Sequence, residues 1–191
     1  MIKHAYESYS DYKDNQLERA SKSQRKTRKR IPDFEKNAQM FKSKYPELKS
    51  ILCIGARDKS EVQVFKDFGY EAVGIDLIEA EGLIMCDMSA IYLHPFFKDK
   101  KFDIVYMSHS LEHCFDFEGL QMSIAHLEPK IVYVEVPCRA DTSPWDCCIH
   151  DVMLDPTIEN CNKLFSGYKA DSIDLSKKMR KHRIVKFILQ K

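Results

Sequence analysis

Apolar and polar positions change rhythm near residue 49. Residues 1–48 are rich in charge and read as a helical preface, interrupted by Pro32 and Pro46. Beyond them, short apolar runs alternate with amphipathic stretches. KSILCIG (49–55) predicts a buried strand. SEVQVFKDFG (60–69) predicts a helix with Val62, Phe65 and Phe68 inward and Gly69 as its stop. EAVGIDL predicts a second strand ending near Asp76, GLIMCDM a short third ending at Asp87, and FDIVYMSHS a fourth from Phe102 to about Met107. A helix is expected over 116–127, then a fifth strand from Lys130 to Val136, stopped by Pro137. After a loop containing Trp145, ENCNKLFSGY (159–168) predicts a helix closed by Gly167, followed by strands near 170–175 and 183–189.

Strands separated by helices imply parallel βαβ units. Continuous apolar runs imply strands covered on both faces. The expected fold class is therefore α/β: a doubly wound, mostly parallel seven-stranded sheet with helices on both faces. The expected division is a helical, basic arm over 1–48 and a single catalytic domain over 49–191. In such sheets ligands lie at the carboxyl ends of the strands. Gly55, Asp76, Asp87 and Ser108 all fall at such ends.

The 191 residues suit one domain with a full core. With 30 basic and 29 acidic residues, overall charge selects no partner. Charge is uneven, however: KSQRKTRKR (22–30) holds six basic residues and no acid. Such a block is either a solvated arm or a contact for a polyanion. No run is long enough to span a bilayer, and the N-terminus lacks the apolar core of a signal peptide. A cytoplasmic setting follows as the default, with Cys53, Cys86 and Cys114 as reduced thiols.

The turn after the first strand carries the chemistry. Gly55 lets the backbone turn tightly. Asp76, 21 residues on, can accept from both hydroxyls of a ribose. Asp87 can bind an exocyclic adenine amine. A dinucleotide needs further glycines where this chain has G-A-R-D-K-S, and no P-loop is present. S-adenosylmethionine carries no phosphate. It offers one carboxylate, which Arg57 or Lys59 suits, and one ammonium, which an acid suits. Simpler readings stand beside these: Gly55 as a strand-end turn, Asp76 as a helix cap, Asp87 as a cap of Ser89 and Ala90, and Glu61 as a first-turn acid favoured by the helix dipole.

ILCIGARDKSEV, VGIDL, MCDM, FDIVYMSHSLEHCFDF and IVYVEVP, in that order and spacing, resemble the class I S-adenosylmethionine-dependent methyltransferases, especially their type-11-like branch. The resemblance spans residues 50–137. It implies S-adenosyl-L-methionine as cofactor and S-adenosyl-L-homocysteine as product. It places Gly55, Ala56 and Arg57 at the methionine end, Asp76 on the ribose, Leu77, Asp87 and Met88 about the adenine, and Ser108, His109 and Ser110 toward the sulfonium and acceptor. Cys53 stands where the family often has an acid, which leaves the ammonium partner unassigned.

His109 and His113 are the candidates for a general base, if the acceptor must lose a proton. His113 reads first as a group that orients its loop or packs at a helix start, and His109 has a structural reading beside the catalytic one. Trp145 and His150, in CRADTSPWDCCIHD, are candidate substrate contacts or members of a packed surface loop. Cys147, Cys148 and His150 do not have metal-site spacing, and no metal is expected. The N/D-PP-aromatic signature of base-amine methylation is absent. The expected function is methyl transfer to a small molecule. The alternatives are an RNA, DNA or protein methyltransferase docking through residues 22–30, and a methyltransferase-fold binding module without catalysis. A nicotinamide oxidoreductase is disfavoured by the missing glycines.

Overall fold

The computed structural model describes residues 7–21, 28–139, 162–179 and 182–191. Its sheet contains β1 (Ser50–Ile54), β2 (Glu71–Asp76), β3 (Ile84–Met85), β4 (Ile104–Ser108), β5 (Ile131–Arg139), β6 (Lys169–Met179) and β7 (His182–Gln190). The order across the sheet is β3-β2-β1-β4-β5-β7-β6. β1 to β5 run parallel, and β7 is antiparallel to both β5 and β6. The helices are α1 (Tyr9–Ser21), α2 (Ile31–Lys44), α3 (Lys59–Asp67) and α4 (Phe117–Leu127), with short 3-10 turns between some elements. The doubly wound α/β architecture expected from the pattern is the one observed.

The continuous apolar strands divide by alternation, because successive side chains point to opposite faces. Leu52, Ile54, Val105 and Met107 face one core with Leu120, Ile124 and Leu127 of α4. Ile51, Cys53, Ile104 and Tyr106 face the other, with Phe34, Ala38 and Phe41 of α2 and Val62 and Phe65 of α3. Tyr106 and Tyr133 stack with ring centroids 4.9 Å apart, and Phe41 meets both edge-on.

Local chemistry sets most boundaries. Pro32 falls in the first turn of α2, where the missing N–H costs nothing, so it opens that helix instead of interrupting one. Asp58 caps α3 by accepting from the Ser60 amide (2.8 Å), and Asp116 caps α4 by accepting from the Gly119 amide (3.0 Å). Three expectations need correction. The third strand pairs over two residues only, because Asp87 accepts from the Ser89 amide and hydroxyl and turns the chain away. The fifth strand runs through Pro137 to Arg139. β4 pairs with β5 only as far as Glu135, so beyond it one side of β5 has no partner strand and a proline is tolerated. Of the helix expected over 159–168, residues 163–167 are turns, and 159–161 lie outside the described residues. The apolar residues there serve another end: Leu164 and Phe165 are buried, and the Tyr168 hydroxyl donates to the Pro129 carbonyl (2.6 Å).

At the amino ends of the strands, Asp103 accepts from the Lys49 amide (2.8 Å) and from the Ser50 amide and hydroxyl (3.1 Å each), and pairs with Lys130 (2.9 Å). Burial opposes ionisation of this carboxyl, but the bonds from Lys130, Lys49 and Ser50 outweigh it and bring its pKa down to about 2. Asp103→Ala should cost about 1–3 kcal/mol in urea denaturation at neutral pH, since the two amides lose their acceptor. The folded pKa lies below the unfolded value of about 3.9. The contribution is therefore complete above that pH and lost as pH falls through about 2. An unchanged midpoint at neutral pH would refute this role.

Candidate functional site

β1 pairs with β2 on one side and β4 on the other, so the chain leaves β1 and β4 in opposite directions and a crevice opens at their carboxyl ends. A cavity of about 370 Å³ fills that crevice. This lies within the roughly 300–1,000 Å³ range of small-molecule sites. Its wall includes Gly55, Ala56, Arg57, Asp76, Leu77, Met88, Ser108, His109, Ser110 and His113 from the sequence-derived set. Asp87 does not line it. Its carboxylate bonds Ser89 and, at 2.6 Å, the Tyr9 hydroxyl of α1. Trp145 and His150 lie outside the described residues.

The glycine turn is tight. Gly55 has φ 73°, and a Cβ built there would stand 2.5 Å from Ser110 Cβ. The Gly55 and Ala56 amides both donate to the Ile75 carbonyl (2.9 and 3.0 Å). Arg57 follows in the left-handed region at φ 58°, its amide donating to Asp76 Oδ2 (2.9 Å). Asp76 Oδ1 accepts from the Ile78 amide (3.0 Å). Asp76 thus holds two loops at the crevice. Each carboxylate oxygen keeps a second lone pair for a ligand hydroxyl.

His109 is the other non-glycine residue of the cavity wall with positive φ (57°). Strained backbone of this kind persists where the surroundings over-determine it. Here the His109 amide donates to the Glu135 carbonyl (2.7 Å), and its ring sits between two glutamates: Nε2 is 3.4 Å from Glu135 Oε1 and Nδ1 is 3.8 Å from Glu112 Oε1. Glu135 is 1% exposed. It also accepts from the Tyr133 hydroxyl (3.1 Å) and pairs with Lys186 (3.1 Å), with the Arg30 guanidinium 3.9 Å away. Burial alone would raise its pKa, but the His109 bond, Lys186 and Arg30 together hold the carboxyl far below the usual range. Burial wins at Glu112, whose pKa rises to about 7 despite His109 nearby.

Sequence reasoning missed Tyr12, Gln16, Arg30, Phe34, Glu61, Ile78 and Glu112 as members of the wall. Arg30 was visible only as part of a basic block. Its guanidinium turns inward to the Ser108 hydroxyl and lies 5.0 Å over the Phe34 ring. Residues 22–27 of that block lie outside the described residues. Tyr12 and Gln16 come from α1, whose Tyr9 and Tyr12 rings pack against Phe115. No local signal in the sequence marks that docking.

Five buried side-chain polar atoms among the described residues have no hydrogen-bond partner: Gln16 Nε2, Glu61 Oε1, Ser110 Oγ, Glu112 Oε2 and Ser123 Oγ. The first four belong to residues of this one cavity. Buried polar groups are normally paired, so four orphans around one space mark a place shaped for a polar ligand. Among the described residues, no group of three or more His, Cys, Asp or Glu side chains could hold a metal ion, and no helix is long and apolar enough to cross a membrane.

No family model matches this chain, and no curated protein is significantly similar to it. Solved structures do resemble it. A Burkholderia thailandensis 1,6-didemethyltoxoflavin-N1-methyltransferase with bound 1,6-didemethyltoxoflavin and S-adenosylhomocysteine superposes with a TM-score of 0.68 at 10% identity, covering 96% of this chain and 88% of that one. A SAM-dependent methyltransferase from Archaeoglobus fulgidus gives 0.57 at 17% identity, covering 84% and 94%. A glycopeptide N-methyltransferase complexed with S-adenosyl-L-methionine gives 0.54 at 16%, covering 82% and 94%. The chain has the class I methyltransferase fold.

Proposed function

We propose that this chain, built on the class I methyltransferase fold, transfers a methyl group from S-adenosyl-L-methionine to a small-molecule acceptor. The observation that carries the reading is the cluster of four orphaned polar atoms around the Gly55 turn, at the strand ends where this fold binds ligands. The absence of Cβ at Gly55 and the free lone pairs of Asp76 fit an adenosine-bearing ligand. The solved neighbours add support: one holds 1,6-didemethyltoxoflavin beside S-adenosylhomocysteine, and another is a glycopeptide N-methyltransferase.

When bound, the cofactor supplies a methyl already activated on a sulfonium, which leaves the protein the task of alignment. In this reading Gly55, Ala56 and Arg57 hold the methionine end. Asp76 takes the ribose, with Leu77 and Met88 flanking the adenine. Asp87 would reach the adenine only by exchanging its bond to Tyr9. Ser108 and Ser110 face the reacting centre. His109, its ring held between Glu135 and Glu112 on the cavity wall, is the base for an acceptor that must lose a proton. His113 stands on the same wall and orients the loop. Trp145 and His150 remain acceptor contacts assigned from sequence alone. The cytosol, where thiols stay reduced, is the setting this reading takes.

Docking of a nucleic acid or protein through residues 22–30 draws no support from Arg30, whose guanidinium is engaged at Ser108. A binding module without catalysis differs from the enzyme only in showing no transfer to any acceptor.

Calorimetry tests the cofactor site directly. S-adenosylhomocysteine should bind with micromolar affinity, about −8 kcal/mol. Asp76→Ala should weaken binding on the order of 100-fold, about 2.7 kcal/mol. It removes the ribose acceptor and releases the Arg57 amide together. Undetectable binding to the wild type would overturn the enzyme reading.

A further inference from the structure

Glu61 has no assigned role beyond the dipole of its helix, yet it is 3% exposed and lines the cavity. Its Oε1 has no hydrogen-bond partner. The Cys53 thiol of β1 lies against the same carboxyl, and Arg30 is the cation near it. In the resemblance to the class I methyltransferases, Cys53 stands where that family often has an acid. Here that position carries a buried thiol, and an acid from the first turn of α3 lies beside it and lines the cavity. A buried carboxyl with an unused oxygen, in the first turn of the helix that follows the Gly55 loop, is shaped to accept from a ligand donor.

We propose that Glu61 is the partner of the ammonium group at the methionine end of the cofactor, replacing from α3 the acid that β1 lacks at Cys53. The proposal rests on the cofactor reading above and adds to it the residue, the ligand group and a coupled proton. Burial, followed by the charges of Glu135 and Asp58, drives the Glu61 pKa up, and Arg30 and Cys53 offset this only in part, leaving it at about 8. Tyr106 faces it from β4, neutral because burial raises its own pKa further. At neutral pH the empty site therefore holds Glu61 protonated. An arriving ammonium favours the carboxylate, so the Glu61 proton leaves to solvent as the ligand binds. Affinity for an ammonium-bearing ligand should accordingly rise with pH until it levels near pH 8.

Two probes separate this proposal from the cofactor reading. S-adenosylhomocysteine carries the ammonium and carboxylate. 5′-Methylthioadenosine keeps the adenosine and thioether and lacks both. In Glu61→Gln, which mimics the neutral carboxyl of the empty site and should fold normally, S-adenosylhomocysteine should bind about 10–100-fold more weakly. 5′-Methylthioadenosine should bind as it does to the wild type. Independently of any variant, calorimetry of the wild type at pH 7 in buffers of different ionisation enthalpy should report release of close to one proton with S-adenosylhomocysteine and none with 5′-methylthioadenosine. Equal weakening of both ligands in Glu61→Gln, undiminished S-adenosylhomocysteine affinity, or binding without proton release would each overturn the assignment. If neither ligand binds the wild type, the cofactor reading fails and takes this assignment with it.

Discussion

Replacing Gly55 with alanine should destabilise the protein by about 2–5 kcal/mol and abolish detectable binding of S-adenosylhomocysteine. Two costs add. At φ 73° an L side chain meets its own carbonyl, at about 1–2 kcal/mol. The new Cβ would also lie 2.5 Å from Ser110 Cβ, an atom fixed to the backbone and unable to swing aside. Either the β1 turn or the β4 turn must move, and both form the cavity wall. A second substitution divides the two costs. In the background of Ser110→Gly the steric term disappears and only the conformational term remains. Gly55→Ala should therefore cost about 1–3 kcal/mol less there. Urea denaturation of the four proteins measures the coupling. An additive cycle would show that the turns relax freely and that Gly55 matters for its backbone angle alone.

Glu135→Ala should cost about 3–5 kcal/mol at neutral pH, because it strands charge in the core. The carboxylate accepts from Tyr133, pairs with Lys186 and holds the His109 ring. Without it, Lys186 keeps only the Asn37 amide oxygen among these buried groups (3.4 Å), and the strained His109 backbone loses the side-chain contact that fixes its ring. Stability should also become less sensitive to acid. The folded carboxyl is held far below the roughly 4.3 of an unfolded glutamate, so its contribution is complete above that pH and is lost as the pH falls toward the folded value. The variant should lack this part of the acid-induced loss. A Glu135→Ala protein as stable as the wild type at pH 7, with the same acid profile, would mean that the pairings around Glu135 offset only their own desolvation.

The chain order conceals the importance of Gly55 and Glu135 to different degrees. Gly55 was legible: an apolar run ending in glycine before an amphipathic stretch specifies a strand, a tight turn and a helix. Asp76 was legible by its spacing from that turn. Ser108 was legible because the fourth strand ends on it, and His109 and His113 as two histidines four residues apart just beyond that end. Glu135 was not, since in IVYVEVP it reads as an acid within an apolar strand, with nothing local to show that His109 and Lys186 converge on it.

Local and periodic chemistry thus determined most of the elements, the parallel direction of the first five strands and the carboxyl edge as the ligand side. These depend on backbone hydrogen bonding and side-chain alternation, which act over a few residues. The limits of the third and fifth strands were set by pairing: β3 ends where Asp87 turns the chain, and Pro137 is tolerated because β4 has already stopped. Only the tertiary structure decided that Arg30 of the basic block turns inward, that Tyr12 and Gln16 of α1 join the cavity wall, and that a helix-start glutamate becomes a buried acid with an unused oxygen. Tyr12 and Gln16 follow from the packing of α1 on Phe115, and the two charged groups share one physical reason. A charge's role depends on desolvation and on the partners that face it, and those partners arrive from β1, β4 and β5, which are distant in the chain and adjacent in the sheet.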